Sequence, residues 1–230
     1  MLATALHDIL QRLDNAAGNA KRPPVRLLAV SKTRPATAVA ELAQALRLVH
    51  PGDVPAFGEN YVQEAVAKQV ALAGMTLEWH LIGHLQSNKA REAAAAFDWI
   101  QTVDRMTLIS ALALHRPADR APLNVLIQVN IDHEASKHGC APTDIDTLAA
   151  GIAREPMLSL RGLMAIPAPH PDPARRRDAF RAMKTRFDDL AARYPQVDTL
   201  SMGMSDDIEL AIEEGATMVR VGTALFGQRG

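Results

Sequence analysis

Eight short apolar runs alternate with longer segments of helical periodicity along the 230 residues of this chain. Runs of this length that are rich in β-branched residues are typical of strands buried on both faces of a parallel sheet. The strands are predicted to begin near Arg26, Pro55, Glu78, Asp98, Leu123, Leu160, Asp198 and Thr217. Because each strand is followed by a helix, eight times in a chain of this size, the pattern predicts a closed (β/α)8 barrel.

Helical periodicity is found between the strands, over residues 36–49, 59–73, 104–115, 143–154, 174–193 and 206–214, with a short turn over 223–226. A further helix over about residues 2–16 precedes the first strand. An open doubly wound sheet is the alternative, but no Gly-x-Gly-x-x-Gly sequence follows the first strand. We therefore predict an α/β protein in which residues 1–230 form a single TIM barrel domain with an additional N-terminal helix.

The composition excludes several classes of protein. A net charge of −1 provides no field for gathering nucleic acid or anionic lipid, so we expect neither as a partner. A single cysteine, Cys140, excludes a disulfide framework, and we expect it to be an inert thiol. The N-terminus has no signal-peptide pattern, and no apolar segment reaches membrane-spanning length. These features predict a cytoplasmic location.

Lys32 lies directly after the first predicted strand, whose apolar run ends at Ser31. Ligands of parallel α/β folds bind at the carboxyl ends of the strands. A lysine that is partly shielded there loses hydration of its ammonium group, so its pKa falls and it can form a Schiff base with an aldehyde. The alternative is a lysine that only ends a strand and points into water.

The segments after the seventh and eighth strands are rich in small and hydroxyl residues: Ser201, Ser205, Gly222 and Thr223. Each segment leads into a predicted helical start, where unpaired N–H groups and the helix dipole favour phosphate. Ser205 is alternatively only a helix N-cap. An aldehyde at Lys32 and a phosphate here are the two ends of pyridoxal 5′-phosphate (PLP).

Arg220 precedes Gly222 by two residues and would lie near the pyridine ring of this cofactor. An arginine is always protonated, so it can only donate to the ring nitrogen and cannot keep that nitrogen protonated. The cofactor would then be a weak electron sink. The alternative is an ordinary arginine paired with an acid at the strand end.

Seven motifs, at residues 29–32, 57–64, 79–89, 125–131, 161–167, 200–207 and 219–227, resemble the pyridoxal phosphate homeostasis protein family. The resemblance implies a fold type III barrel similar to the N-terminal domain of alanine racemase. It implies that Lys32 forms the Schiff base, that Arg220 faces the pyridine nitrogen, and that the phosphate contacts Ser201, Ser205, Gly222 and Thr223. Asn60 and Met202 lie in the same motifs and are included among the cofactor-binding residues, while His84 and Asn130 have no assigned role.

The resemblance further implies reversible binding, buffering or delivery of PLP in vitamin B6 homeostasis, without robust catalysis. Its partners would be PLP and apo-PLP enzymes as recipients, and we expect a monomer. The alternative is a PLP-dependent amino-acid racemase, which needs acid–base groups on both faces of the substrate carbon. Alanine racemases supply the second base, a tyrosine, from an additional β domain. The chain ends at Gly230, and we expect neither Tyr61 nor Tyr194 to replace that group.

His80 and His84 are four residues apart, which suggests a metal pair if they lie on one helix. They are predicted to lie across a strand end and a glycine instead, where this spacing does not bring them together. We therefore expect no metal site and a packed His80. Lys89 and Lys137 are further amines that could capture an aldehyde, with surface lysines as the default interpretation.

Overall fold

Eight parallel strands form a closed barrel in a computed structural model that describes residues 2–132, 134, 137–168 and 170–227. The strands follow chain order around the barrel, and the eighth pairs with the first. They are β1 (Arg26–Val30), β2 (Ala56–Glu59), β3 (Glu78–Leu81), β4 (Trp99–Val103), β5 (Leu123–Val129), β6 (Leu158–Ala165), β7 (Thr199–Met204) and β8 (Met218–Val221). The predicted (β/α)8 barrel is confirmed.

Helices cover the outside of the barrel. They are α1 (Leu2–Asn19), α2 (Ala36–Val49), α3 (Val62–Ala71), α4 (Ala90–Ala96), α5 (Met106–His115), α6 (Ile145–Ala153), α7 (Pro173–Ala191), α8 (Ile208–Glu213) and α9 (Thr223–Phe226). Short 3₁₀ turns at Ser87–Lys89 and Pro142–Asp144 precede α4 and α6. Among the described residues, no helix combines the length and the apolar character that crossing a membrane requires.

All eight strands begin within two residues of the predicted positions, but two of the helices need comment. No range was predicted for the alanine-rich helix α4 that follows β3, because its sequence contains too little contrast between apolar and polar residues to show a period. The helix predicted from residue 59 begins only at Val62. Glu59 instead ends β2, where its side chain is completely buried.

The core lies between the strands and the helices, and strand residues contribute to it almost continuously. Such burial is expected of parallel strands covered by helices. The N-terminal helix α1 turns one stripe of buried residues inward, among them Leu6, Ile9 and Leu13, at the spacing of helix turns. It packs against α2, α8 and α9, and its residue Arg12 pairs with Glu209 of α8 at 2.7 Å. The extra helix therefore braces the loops that follow β7 and β8.

Candidate active site at the mouth of the barrel

The carboxyl ends of the strands meet at one end of the barrel, which is called the mouth below. Closure of the barrel makes β8 the neighbour of β1, with Val221 opposite Ala29. At the next position a Cβ atom on Gly222 would lie 3.3 Å from both the Cβ and the carbonyl oxygen of Val30. The lack of a side chain at Gly222 thus lets the loop after β8 lie directly beside the loop that carries Lys32.

The loop after β1 holds Lys32 between a buried residue and a strained one. Ser31 is completely buried, and Lys32 is partly buried two residues beyond the end of β1. Thr33 has a φ of 64°, a left-handed conformation that is unfavourable for a β-branched residue. Its N–H donates to Glu64 Oε1 at 2.5 Å. This hydrogen bond helps to hold the loop in a shape that the chain would not adopt by itself.

The buried side chain of Lys68 also holds the loop after β1. Lys68 Nζ donates to Glu59 Oε1 at 2.6 Å, to Glu64 Oε1 at 2.7 Å and to the carbonyl oxygen of Ser31 at 2.7 Å. The Ser31 hydroxyl donates to the same Glu59 oxygen at 2.5 Å. Burial raises the pKa of Glu59, although the hydrogen bonds from Lys68 and Ser31 act in the opposite direction. We refer to Ser31, Glu59, Glu64 and Lys68 as the Lys68 network.

Sequence reasoning missed the Lys68 network. The available signal was the i,i+4 pair of Glu64 and Lys68 on one helix, which is usually an exposed ion pair with little effect on stability. Only the fold shows that the lysine turns inward and meets Glu59 at the end of β2. The side chain of Lys68 is 7% exposed and that of Glu59 is 0% exposed.

Arg220 extends into the interior of the barrel just below the mouth, and only 4% of its surface is exposed. Its Nη1 donates to Ser201 Oγ and its Nη2 donates to the carbonyl oxygen of Ala165, both at 2.8 Å. Burial lowers the pKa of Arg220 to about 10, and Asp207 opposes this shift. The guanidinium therefore remains protonated at neutral pH and can act only as a donor.

Arg220 is the first member of a hydrogen-bonded chain that runs down the barrel, here called the polar column. The Ser201 hydroxyl donates to Gln101 Oε1 at 2.7 Å, and Gln101 Nε2 lies 2.9 Å from His80 Nδ1. His80 Nε2 lies 2.5 Å from Glu78 Oε1. Burial lowers the pKa of His80, so its ring is neutral, accepts from Gln101 at Nδ1 and donates to Glu78 at Nε2. The prediction that His80 is a packed histidine is confirmed.

The residues predicted to bind phosphate occupy different environments. The Ser201 hydroxyl is buried and fully used in the polar column. Met202 is completely buried in the core, so its side chain does not reach the mouth. Gly222 and Ser205 are partly buried, and Thr223 is exposed at the first position of α9.

Ser205 is not a helix N-cap, contrary to the alternative considered from the sequence. The helix predicted from residue 206 begins at Ile208, and Asp207 occupies the cap position. The carbonyl oxygen of Ser205 accepts a hydrogen bond from Arg12 Nη2 at 3.1 Å. Helix α1 thus fixes the backbone of this turn through Arg12.

Asn60 follows β2 directly, and its backbone lies against Gly83, two residues after the end of β3. A Cβ atom on Gly83 would overlap the carbonyl oxygen of Asn60 and lie 2.7 Å from its Cα. The loop after β2 can therefore lie where it does only because residue 83 has no side chain.

Replacing Gly83 with alanine is expected to destabilise the fold by roughly 1–3 kcal/mol, since the new methyl group must displace backbone rather than a flexible side chain. Urea unfolding of the purified proteins measures the effect. Gly74→Ala is the matched control, because nothing lies within 4 Å of a Cβ at that position. Equal midpoints for the two variants would contradict the close packing of Asn60 on Gly83.

The opposite half of the mouth carries two histidines and an aspartate. His84 Nδ1 lies 3.9 Å from Asp104 Oδ2, and the rings of His84 and His138 stack with centroids 3.7 Å apart. Burial, followed by the influence of His138, lowers the pKa of His84, while Asp104 opposes the shift. His80 and His84 have different neighbours, as expected, but the meeting of His84 with residues from two other strand ends was not predicted.

The loop after β5 is held by Asn130 and Cys140. Asn130 Nδ2 donates to the carbonyl oxygen of Glu134 at 2.8 Å, and Asn130 Oδ1 accepts from the N–H of Glu134 at 3.1 Å. Lys137 Nζ reaches the carbonyl oxygen of Ile166 at 3.4 Å. Burial raises the pKa of Cys140 to about 12, which agrees with the expected inert thiol.

The two tyrosines lie at different ends of the molecule. Tyr61 is next to Asn60 at the mouth and is 63% exposed. Tyr194 follows α7, which returns the chain to the opposite end of the barrel, and it packs against the core. Only Tyr61 is therefore placed near the candidate site.

Comparison with known proteins identifies the family. The alanine racemase N-terminal domain model matches residues 5–230. The pyridoxal phosphate homeostasis protein of Escherichia coli is 48% identical over 99% of this chain and 97% of its own length. The protein of the same name from Haemophilus influenzae is 50% identical over 97% of this chain and 94% of its own length.

Solved structures agree with this assignment. PipY of Synechococcus elongatus without PLP has a TM-score of 0.86 at 37% identity, and covers 99% of this chain and 100% of its own. PipY with PLP bound has a TM-score of 0.82 at 36% identity with the same coverage. Alanine racemase of Corynebacterium glutamicum, at 19% identity and a TM-score of 0.67, shares the fold, and the match spans 61% of that enzyme. The resemblance inferred from the motifs is confirmed, and the chain belongs to the pyridoxal phosphate homeostasis protein family.

Proposed function

We propose that this chain binds PLP reversibly at the mouth through Lys32 and acts in vitamin B6 homeostasis by buffering or delivering the cofactor. The observation that carries the proposal is the contact of Gly222 with Val30, which places the loop after β8 beside the loop of Lys32. The names of the relatives and the PLP-bound structure of PipY support it.

The residues at the mouth fit this cofactor. When bound, PLP supplies an aldehyde that reacts reversibly with a primary amine, and Lys32 provides that amine. We assign the phosphate to Ser205 and to Gly222 and Thr223, where the first turn of α9 offers backbone N–H groups. We propose that Asn60 lies at the edge of the cofactor-binding site.

Two of the predicted residues take supporting roles in this proposal. The Ser201 hydroxyl is hydrogen-bonded to Arg220 and Gln101, so we propose that it orients the Arg220 guanidinium. Met202 has only its backbone left to contribute, because its side chain lies in the core.

The same geometry supports binding without robust catalysis. Arg220 is buried and protonated, so beside the ring nitrogen of bound PLP it would act as a donor and would not keep that nitrogen protonated. A racemase additionally needs a second acid–base group across the substrate carbon. Tyr61 is the tyrosine placed at the mouth, which makes Tyr61→Phe the variant that tests this alternative.

A transfer assay tests the proposal, with apo-PLP enzymes as the proposed recipients. The PLP-loaded chain is mixed with an apo-enzyme in the presence of a trap for free PLP, and recovery of activity is followed. If enzyme activity recovers faster than PLP is released into solution, the result supports delivery. If it recovers at the release rate, the result supports buffering instead. Sustained racemisation of single amino-acid enantiomers that is lost in Tyr61→Phe would contradict the non-catalytic role.

A further inference from the structure

His84, Asp104 and His138 form a cluster at the mouth, on the side opposite to the loops of Lys32 and Gly222. They follow β3, β4 and β5, respectively. One donor atom from each, namely two imidazole nitrogens and a carboxylate oxygen, lie within 4.8 Å of one another. We propose that this cluster binds one Zn²⁺ ion through the two imidazoles and the carboxylate.

The donor set suits this ion. Zn²⁺ binds imidazole nitrogen and carboxylate oxygen in a tetrahedral arrangement, with neighbouring donors about 3.4 Å apart. The donors of the cluster must therefore move together by an amount on the order of 1 Å, and the two stacked rings must turn out of their nearly parallel arrangement so that both nitrogen lone pairs point at the ion. Both histidines are exposed, so rotation of their rings can supply this movement without disturbing the core. Three protein ligands leave the fourth position for water.

The backbone on either side of the histidines is anchored, which limits the freedom of the ligands before an ion arrives. The carbonyl oxygen of Gly83, next to His84, accepts from the Thr102 hydroxyl at 2.9 Å. The carbonyl oxygen of His138 accepts from Gln128 Nε2 at 3.2 Å. Two residues later, the N–H of Cys140 donates to the carbonyl oxygen of Gln128 at 2.9 Å.

The carboxylate of the cluster is oriented by its neighbour. Asp104 is 11% exposed at its side chain, and its Oδ1 accepts from Arg105 Nη1 at 2.6 Å. The other oxygen, Oδ2, faces His84. Arg105 is itself held by the carbonyl oxygen of Leu85 at 2.8 Å. Such outer contacts orient the ligands of metal sites.

Calorimetric titration of Zn²⁺ into Lys32→Ala tests the proposal in a chain that lacks the amine assigned to PLP, so its outcome does not depend on the proposed function. We expect one ion per chain. In this background, His84→Ala and His138→Ala should each weaken binding by at least about 10-fold. His7→Ala, at an exposed position on α1, is the matched control and should change nothing. Absence of stoichiometric binding, or equal affinity of His84→Ala and His7→Ala, would overturn the site.

Titration with Co²⁺ in place of Zn²⁺ identifies the type of ligand, because the visible spectrum of bound Co²⁺ depends on its ligands. The visible d–d bands of a four-coordinate site should appear with Lys32→Ala and disappear when His84→Ala is added. Circular dichroism should show that the second substitution leaves the fold intact. An intense sulfur-to-cobalt charge-transfer band would assign Cys140 as a ligand and overturn the proposed ligand set. Mg²⁺ should not compete, because it prefers oxygen ligands.

Discussion

Lys32→Ala is expected to lose covalent attachment of PLP and to bind the cofactor on the order of 100-fold more weakly, which corresponds to about 2.7 kcal/mol. The amine to which we assign the aldehyde is gone, whereas the loops assigned to the phosphate and Arg220 are unchanged. Equilibrium dialysis measures the affinity. Borohydride reduction followed by peptide mapping locates the covalent bond, which in the unaltered chain should be on Lys32.

Lys137→Ala is the matched control for this experiment. Lys137 is a partly buried lysine at the same mouth and reaches the carbonyl oxygen of Ile166. Its removal should leave both the affinity and the labelled peptide unchanged. If borohydride instead fixed the cofactor on Lys137 or on Lys89, the assignment of Lys32 would be wrong.

Lys68→Met is expected to destabilise the protein by about 3–5 kcal/mol, the usual cost of removing one partner from a buried ion pair. The Glu59 carboxylate would remain fully buried with only the Ser31 hydroxyl from the Lys68 network. Urea unfolding measures the loss. Lys89→Met, which removes an exposed partner of Glu92, should change stability by no more than about 0.5 kcal/mol.

The loss in Lys68→Met should depend on pH in a direction set by Glu59. Burial already raises the pKa of Glu59, and removal of Lys68 raises it further. The folded variant then holds a proton that the unfolded chain has released. Its stability deficit should therefore shrink as the pH falls, and grow as the pH rises through the folded pKa of Glu59. The double variant Lys68→Met/Glu59→Gln should recover part of the loss and show a weaker dependence on pH.

The same substitution is expected to weaken PLP binding, because Lys68 holds the carbonyl oxygen of Ser31 and, through Glu64, the N–H of Thr33. These contacts flank Lys32 on both sides. The affinity is measured without urea, at a pH where Lys68→Met is folded. If the variant then bound PLP with unchanged affinity, the Lys68 network would be purely structural.

The barrel could be predicted from the sequence because hydrophobic periodicity is a local property. Strands buried on both faces give continuous apolar runs, and helices on the outside give a period of 3.6 residues. The lack of a predicted range for α4 has the same origin, since its alanines are small enough to be buried without creating a periodic contrast. Glu59 was placed in a helix because a buried carboxylate at a strand end has no local signature.

The candidate site was predicted only where its residues follow strands in a recognisable order. Lys32, Gly222 and Arg220 could be placed together because the ends of parallel strands meet at one mouth. The commitment of the Ser201 hydroxyl to Arg220 and Gln101 could not be predicted, because it depends on which side chains meet inside the barrel. The cluster of His84, Asp104 and His138 was missed for the same reason.

The polar column has a direction, and this constrains how the sequence can vary. From Arg220 to Glu78 every hydrogen bond is donated towards the base of the barrel, so Ser201, Gln101 and His80 each accept one bond and donate the next. Replacing one member by an apolar residue leaves two neighbours without a partner in a buried environment, which is costly. Substitutions at Ser201, Gln101 and His80 should consequently occur as correlated sets during evolution, with intermediates that fold poorly.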